Sequence, residues 1–494
     1  MFEGGFTLEA AEEVGGASAI ALLPALVERS LVVVDRRGGA VQRTPAPAAS
    51  PAVRYRLLET LREYGRAQLD PDESGELHRR HLTHYLALAE PAAAGLHGPL
   101  QRWWLDRLDP ERDNLRAALR WALTHGQRAA GLRLATALAN FWDEQAQYSE
   151  GTAWLRDALV GSADVGPELR AAALAGAGRL AMGLGDHTGA ARLAEQSLAL
   201  AREAGDEPAI VHATALLGNV ALYQGNYGQA RPLLEESLAA FERLGMGWAQ
   251  AEVLGRLGHL HRLRGDYATA RGYLERSQRL RVEVHDIGGL AWSVWQLGVL
   301  ARYQGSYDRA DALYRRSLAM FDELADEAGA AHVRYSMGDL ARINGDDALA
   351  SSLYTESLDR LRENGDRRCV ASILFNLGSL AFDRSDPQAP VLFARSLALR
   401  RELHDQAGIA ECLEAFAAVQ ENRGDPVAAI RLLGASQAVR DRTGAVRPAS
   451  DEDVLTARVE TLRAAVGADA FASAWEAGRT GGDDAVAATL VARL

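Results

Sequence analysis

The sequence predicts an all-α protein, built mainly as a superhelix of about eight helix pairs of forty residues each. A glycine recurs every forty residues, and the same phrase surrounds it, most clearly as Leu217-Gly218, Gly225-Asn226-Tyr227 and Ala230. A period of about 20–50 residues indicates a repeat protein whose units bury their apolar faces on one another. The recurring glycines are Gly178, Gly218, Gly258, Gly298, Gly338 and Gly378.

Each forty-residue unit divides into two helices and two short turns. The repeat glycine lies midway along the first helix, where glycine costs about 1 kcal/mol in helix propensity. We therefore predict a close helix crossing there, with small residues such as Ala230 and Ser237 as partners. The unit near 371 is one residue short. A second glycine ends the first helix in a left-handed cap, and these glycines are Gly185, Gly225, Gly265, Gly305 and Gly345.

Residues 1–70 do not follow the repeat. Helical patterns at 8–14 and 22–30 precede a β-branched strand at 31–34, a Gly/Ala/Pro-rich hairpin tip at 38–51 and a returning strand at 54–58. Helix, helix, strand, wing and strand are the outline of a winged-helix domain without its first helix. We predict a partial winged-helix domain over 1–70.

The remaining boundaries follow from where the repeat is visible. A helical connector with Trp103, Trp104 and Trp121 covers 71–130, and the superhelix covers 131–445. Residues 446–494 are predicted to be a C-terminal helical cap, because the last unit of a solenoid needs an atypical polar face.

Composition excludes several classes of protein. The net charge of −12 argues against direct contact with nucleic acid, which needs a basic face. Two cysteines, Cys369 and Cys412, exclude a disulfide framework and favour a cytoplasmic location. No run of about 18 apolar residues is present, so neither a membrane span nor a membrane partner is predicted.

The 54 basic residues are all arginine, which excludes a phosphate-binding loop of the GxxxxGK[ST] type and Schiff-base chemistry. No catalytic constellation can be localised from spacing, so we predict a non-enzymatic protein without a cofactor. His78, His81 and His84 share one helical spacing without a carboxylate or cysteine at ligand distance. We interpret them as an exposed helix face, and no metal site is predicted.

The phrase Leu-Gly … Gly-x-Tyr … Ala resembles the tetratricopeptide repeat, lengthened from about 34 residues to forty. The resemblance extends over about 300 residues. It implies a right-handed superhelix whose concave groove binds a protein or peptide segment, lined mainly by the first helix of each pair.

Lining positions of that family, counted from the repeat glycine, assign eleven candidate binding residues. An arginine row beside an aromatic row suits an acidic or aromatic-bearing partner. Alternatively, the arginines pair with acidic neighbours such as Asp339 and only solvate the inner face. The candidates are Arg262, Arg302, Arg342, Trp292, Trp295, Tyr335, Phe375, Asn219, His259, Tyr223 and Tyr303.

Residues 54–64 resemble the winged-helix end of the nucleotide-binding module in STAND regulators (signal-transduction ATPases with numerous domains). Residues 4–12, 105–121 and 471–479 resemble the helix before it, the connector and the tail of the same large actinobacterial regulators, which include the AfsR and LuxR types. In that family an ATPase core switches state, a repeat domain senses a partner, and a separate domain binds DNA. This chain lacks the phosphate-binding loop and the helix-turn-helix motif.

The leading hypothesis is therefore a cytoplasmic binding scaffold, the sensor arm of a STAND-type transcriptional regulator that lacks its ATPase core and DNA-binding domain. Its expected partners are a protein or peptide segment in the groove and a separate ATPase or DNA-binding regulator. Two alternatives remain open: a peptide-pheromone receptor of the tetratricopeptide type, and a fragment of an ATP-dependent LuxR-like activator.

Overall fold

The computed structural model describes residues 1–35, 53–363, 365–444, 446–447 and 449–481. The described part of the chain is α-helical apart from one small sheet, and its tandem helix pairs confirm the predicted superhelical repeat fold. It divides into two units. One comprises Met1–Leu180 and Gln196–Ala209, and the other comprises Ala181–Glu195 and Ile210–Leu494.

The sheet lies at the N-terminus of the first unit and has three antiparallel strands. They are β1 (Phe6–Thr7), β2 (Val32–Asp35) and β3 (Arg54–Leu57), in the order β1-β3-β2. The strand β1 was not predicted, because two residues are too short for a periodic signal. The predicted hairpin tip at 38–51 lies outside the described residues.

The range Leu8–Glu28 (α1) consists of two helical segments, as predicted, which meet at Gly16, a residue with the non-helical angles φ 74° and ψ −177°. The second segment begins directly after Gly16, earlier than the predicted start at residue 22. By length and composition α1 is apolar enough to cross a membrane, which is weak evidence on its own. The longer part after Gly16, residues 17–28, extends only about 18 Å at 1.5 Å per residue. That is well short of a hydrocarbon core of about 30 Å. Ala10 and Leu23 of α1 instead pack with Phe6 and Val32.

Four connector helices follow: α2 (Glu59–Gln68), α3 (Pro71–Gly95), α4 (Gln101–Leu108) and α5 (Arg112–Thr124). A buried carboxylate, Glu111, joins them to the sheet. It pairs with Arg54 of β3 and accepts hydrogen bonds from the Tyr85 hydroxyl at 2.8 Å and from Asn114 Nδ2 at 2.7 Å. Asn114 Nδ2 also donates to the Gly5 carbonyl. Residues 4–12, 54–64 and 105–121, which the sequence analysis compared with one family, therefore meet in one polar network.

The three histidines of α3 are not an exposed face, so that interpretation was wrong. His81 is 1% exposed and packs against Phe2 and Tyr85, and His78 stacks on Trp121. His84 contacts Glu13 of α1 through Nδ1 at 2.6 Å. These side chains face other elements because α3 lies between α1 and α5.

Eight pairs of helices follow, each with a first helix (A) and a second helix (B). The A helices are α6 (Arg128–Glu144), α8 (Pro167–Gly183), α10 (Glu207–Tyr223), α12 (Gly247–Leu263), α14 (Ile287–Tyr303), α16 (Glu327–Ile343), α18 (Arg367–Asp383) and α20 (Gln406–Asn422). The B helices are α7 (Tyr148–Leu159), α9 (His187–Ala204), α11 (Tyr227–Leu244), α13 (Tyr267–Glu283), α15 (Tyr307–Leu324), α17 (Asp347–Glu363), α19 (Ala389–Glu402) and α21 (Pro426–Thr443).

Local sequence sets where these helices begin and end. Gly185, Gly225, Gly265, Gly305 and Gly345 all have φ between 71° and 78°, which confirms the predicted left-handed caps. The unit predicted near residue 371, for example, begins with α18 at Arg367, about four residues earlier. At each of five starts an aspartate side chain accepts a hydrogen bond from the backbone N–H three residues later, the N-cap arrangement. These aspartates are Asp206, Asp286, Asp326, Asp366 and Asp405.

The repeat glycine does mark a close contact, but its partner is large rather than small. A Cβ on Gly298 would lie 2.7 Å from the Tyr314 ring, and one on Gly338 would lie 2.7 Å from the Tyr354 ring. The small residues predicted to face the repeat glycine instead join the two helices of a pair by hydrogen bonds. Ser277 and Ser317, for example, are fully buried and donate hydrogen bonds to A-helix carbonyls at 2.7 and 2.9 Å.

Two further helices, α22 (Ala449–Val466) and α23 (Ala468–Thr480), end the described chain. Here two glycines let backbones approach: a Cβ on Gly478 would lie 2.0 Å from the Arg431 carbonyl oxygen, and one on Gly434 would lie 2.4 Å from that of Trp475. Phe471 and Ala474 of α23 join the core formed with Leu433 of α21.

Candidate functional site

The eleven candidate residues lie on one series of A helices, α10, α12, α14, α16 and α18, all within the second unit. Some of these side chains contact one another between successive A helices, as Tyr223 does with His259 and Arg262 with Tyr303. Trp295 Nε1 also donates a hydrogen bond to Ser336 Oγ of the next A helix at 2.8 Å. We call the surface that carries these residues the A-helix face.

Arginines and a tyrosine alternate at the centre of this face. Two guanidinium groups lie over the Tyr303 ring, with the Arg262 Cζ 4.6 Å and the Arg302 Cζ 4.9 Å from its centroid. Each such contact contributes about 0.5–2 kcal/mol, and more as water is excluded. The arginine and aromatic rows of the prediction are thus interleaved rather than parallel.

The carboxylate of Asp339 in α16 is the shared acceptor of the neighbouring polar network. Its Oδ1 accepts hydrogen bonds from the Tyr354 hydroxyl at 2.8 Å and from Asn376 Nδ2 at 2.6 Å, while its Oδ2 lies 3.5 Å from the Arg302 guanidinium. Burial and this carboxylate raise the pKa of both Tyr354 and Tyr335 above the ordinary tyrosine value. The two phenols therefore remain neutral at physiological pH.

Arg302 is the member of the arginine row that has a carboxylate partner. Within the described residues, neither Arg262 nor Arg342 has a carboxylate oxygen within 4.0 Å. The A-helix face also contains buried polar atoms without a hydrogen-bond partner: Nε of Arg302, Nε of Arg342 and Oδ1 of Asn219. Such atoms cost free energy when left unpaired.

The aromatic candidates Trp292, Trp295, Tyr335 and Phe375 are half-buried and contact neighbouring side chains. Trp292 and Trp295 meet edge to face with centroids 5.4 Å apart, and Tyr335 lies 6.0 Å from Tyr354. Phe375 lies under the Arg400 guanidinium, whose Cζ is 4.9 Å from the ring centroid.

Tyr223 of α10 is the centre of a separate cluster. The Arg368 Cζ lies 3.8 Å from its ring centroid, and Arg256 donates a 2.9 Å hydrogen bond to its hydroxyl. His259 meets the ring edge-on at 5.8 Å. Burial, assisted by Arg262 and Arg368, holds the pKa of His259 well below its usual value, so the imidazole is neutral.

His187 of α9 completes this cluster and has a defined tautomer. It stacks on Tyr223, its Nδ1 lies 2.9 Å from the Leu403 carbonyl, and its Nε2 lies 3.0 Å from Arg368. A carbonyl only accepts and a guanidinium only donates. His187 is therefore neutral and carries its proton on Nδ1. Burial and the nearby Arg368 lower its pKa to about 4.

This tautomer predicts a pH-dependent stability. The folded-state pKa of about 4 lies below the ordinary value of 6.5, so the neutral ring stabilises the fold above pH 6.5. That stabilisation is lost as pH falls towards 4, by about 2 kcal/mol at pH 4.5. Glutamine can both donate and accept without titrating. In urea unfolding between pH 7.5 and 4.5, we expect His187→Gln to lose about 2 kcal/mol less than the wild type. Parallel pH profiles would contradict the assigned tautomer.

A chain of three side chains joins α16 to the start of α18. His332 Nε2 lies 2.9 Å from Asp366 Oδ2, and Cys369 Sγ lies 3.1 Å from His332 Nδ1. Burial alone would lower the pKa of His332, but Cys369 and Asp366 outweigh burial and raise it. Burial also raises the pKa of Asp366, yet the hydrogen bond from His332 lowers it to about 2. Burial raises the pKa of the Cys369 thiol.

Sequence reasoning missed the contributions of Arg368, His187 and Cys369. Arg368 and Cys369 lie next to a visible signal, the N-cap Asp366, but their partners are remote. His187 and Arg368 are 181 residues apart. A forty-residue period places residues within a unit and between adjacent units, and it carries no information about contacts between distant units.

Comparison with known proteins supports the repeat assignment. The tetratricopeptide repeat family matches residues 169–243 and 249–323. The protein named "Putative HTH-type transcriptional regulator Rv0890c" of Mycobacterium tuberculosis (strain ATCC 25618 / H37Rv) is 36% identical over 231 residues, which are 44% of this chain and 25% of that protein. A Mycobacterium bovis regulator with a corresponding name matches equally. The match thus spans about a quarter of the length of these relatives.

Solved structures share the fold. A Rap protein complexed with competence and sporulation factor has a TM-score of 0.52 at 16% identity, covering 70% of this chain and 92% of that one. A STAND protein with a tetratricopeptide repeat sensor from Pyrococcus horikoshii has a TM-score of 0.50 at 13% identity, covering 93% and 63%. The chain therefore carries tetratricopeptide repeats, is homologous in part to proteins named as transcriptional regulators, and has the fold of a STAND repeat sensor.

Proposed function

We propose that this chain is a non-enzymatic sensor region of a STAND-type transcriptional regulator, and that its A-helix face forms a concave groove for an acidic protein or peptide segment. ATP hydrolysis and DNA contact belong, in this proposal, to other parts of the regulator or to a separate protein. A cytoplasmic location agrees with two free cysteines.

The observation that supports the groove most directly is the state of its arginines. Arg262 and Arg342 lack a carboxylate partner among the described residues, although the chain as a whole carries a net charge of −12. Buried Nε atoms of Arg302 and Arg342 also lack an acceptor. A carboxylate-bearing partner would supply charge-assisted hydrogen bonds to the guanidinium groups of Arg262 and Arg342, which are partly exposed.

The alternative, a peptide receptor with an amide-rich floor, has less support from the side chains present. Asn376 already donates an Nδ2 hydrogen to Asp339, and among the described residues only Asn219 retains a buried amide oxygen without a partner. Carboxylate recognition by arginine therefore remains our preferred basis of binding.

The experiment uses peptides of equal length that differ only in the number of Asp and Glu residues, with binding followed by fluorescence anisotropy. We expect acidic peptides to bind, and Arg262→Glu with Arg342→Glu to weaken binding about a hundredfold. This estimate assumes two charge-assisted hydrogen bonds of about 1.5 kcal/mol or more each.

The matched control is Arg309→Glu with Arg316→Glu, which makes the same change in charge on exposed positions of α15. This control should bind like the wild type. If both double variants weaken binding equally, the cause is the change in net charge and the groove assignment is wrong. Affinity that does not depend on the acidity of the peptide would also overturn the assignment.

A further inference from the structure

We propose that His332, Asp366 and Cys369 form a zinc-binding site at the edge of the A-helix face. One ligand atom from each side chain lies within 4.8 Å of the other two. This site goes beyond the proposed partner groove and does not depend on it, because its evidence is the chemistry and geometry of these three residues alone.

The donor set is one that zinc prefers. Zinc in proteins is bound by cysteine sulfur, histidine nitrogen and aspartate oxygen at about 2.0–2.3 Å, which places the ligand atoms about 3–4 Å from one another. Cys369 Sγ lies 3.1 Å from His332 Nδ1, and Asp366 Oδ2 lies 2.9 Å from His332 Nε2, so both partners are within reach of an ion bound to this imidazole. Because His332 presents a different nitrogen to each partner, closing all three ligands on one ion needs a rotation of the Cys369 or Asp366 side chain.

Two helices, α16 and α18, fix the backbone positions of the three residues. His332 lies in α16, and its ring meets the edges of Trp292 at 5.0 Å and Trp295 at 6.2 Å. Asp366 is the N-cap of α18, and its Oδ1 accepts the Cys369 N–H at 2.9 Å. That bond engages Oδ1 only and leaves Oδ2, which lies on the side of His332, as the oxygen available to an ion.

Charge and coordination number are consistent with a divalent ion. A thiolate and a carboxylate together carry two negative charges, which balance Zn²⁺ and leave no excess charge near Arg368. Three protein ligands are the set found in zinc sites that keep a fourth position for water or a partner group.

The test is a cobalt titration of the full chain after chelator treatment, because Co²⁺ occupies zinc sites and reports thiolate ligation by a charge-transfer band. We expect one equivalent of Co²⁺ to bind with that band, to quench tryptophan fluorescence through Trp292, and to be displaced by Zn²⁺. Cys369→Ser should abolish the band. His332→Gln and Asp366→Asn should weaken binding at least about tenfold, the scale seen even for residues behind the ligands.

Two variants separate metal ligation from structural effects. Asp366→Asn retains a good N-cap residue, so α18 should stay helical by circular dichroism. Cys412→Ser makes the same change at the other cysteine, which is fully buried and contacts Ser396, and should leave the cobalt band intact. A wild-type chain without a charge-transfer band, or a band that survives in Cys369→Ser, would overturn the zinc site.

Discussion

Gly478→Ala is expected to detach α23 from α21 without affecting the repeats. The new methyl group would lie 2.0 Å from the Arg431 carbonyl oxygen, and a backbone atom cannot move aside as a side-chain tip can. Forcing an atom into a packed contact costs about 1–3 kcal/mol, and we expect the upper end here. Amide hydrogen exchange within α23 should therefore accelerate about a hundredfold, since 1.4 kcal/mol corresponds to tenfold.

Gly272→Ala is the matched control for that change. Gly272 lies inside α13, and a Cβ there meets nothing within 4 Å. The same substitution should stabilise the chain by about 0.4–1 kcal/mol, because alanine is the better helix former and restricts the unfolded chain. If both variants raise stability, or if α23 keeps its protection in Gly478→Ala, the close backbone contact is not as described.

Asp339→Ala is expected to destabilise the second unit by about 4 kcal/mol. The substitution leaves the Tyr354 hydroxyl and Asn376 Nδ2 without their acceptor and Arg302 without its carboxylate. Removing one partner of a buried charged pair costs about 3–5 kcal/mol, because the remaining charge is uncompensated. Chemical unfolding followed by circular dichroism measures the change.

Two variants test the cause of this loss. Asp339→Asn keeps an oxygen acceptor and loses only the charge, so we expect about half of the effect. Asp311→Ala removes the carboxylate of an exposed pair with Arg315 on α15, and should cost about 0.3–0.5 kcal/mol. An Asp339→Ala variant no less stable than Asp311→Ala would show that the network does not contribute to stability.

Gly225 and Tyr223 are two residues apart, and the sequence predicted the conformation of the first but not the contacts of the second. The cap at Gly225 was predicted, because a left-handed φ is a local demand on one residue and glycine meets it at least cost. The surroundings of Tyr223 were not, because Arg368 and His187 reach it from other repeats. The family pattern placed Tyr223 among the lining residues but could not name its neighbours.

For the groove candidates, the sequence predicted the positions of the arginines but not their individual partners. Counting from the repeat glycine placed Arg262, Arg302 and Arg342 on successive A helices, because equal spacing gives equal positions in each unit. Pairing with Asp339 was weighed for the whole row, and the described structure shows it for Arg302 alone. That difference depends on side-chain distances, which periodicity does not contain.

The sequence by itself determined the helix pairs, their glycine ends and the shortened unit near 371, where α20 begins 39 residues after α18 (406 against 367). These features follow from backbone conformation and from hydrogen bonds within three or four residues. Only the tertiary structure decided that Tyr314 and Tyr354 rest on the repeat glycines, that His187 is neutral beside Arg368, and that His332, Asp366 and Cys369 meet. Those outcomes depend on the volume, polarity and donor geometry of residues from different helices, which become neighbours only when the repeats stack.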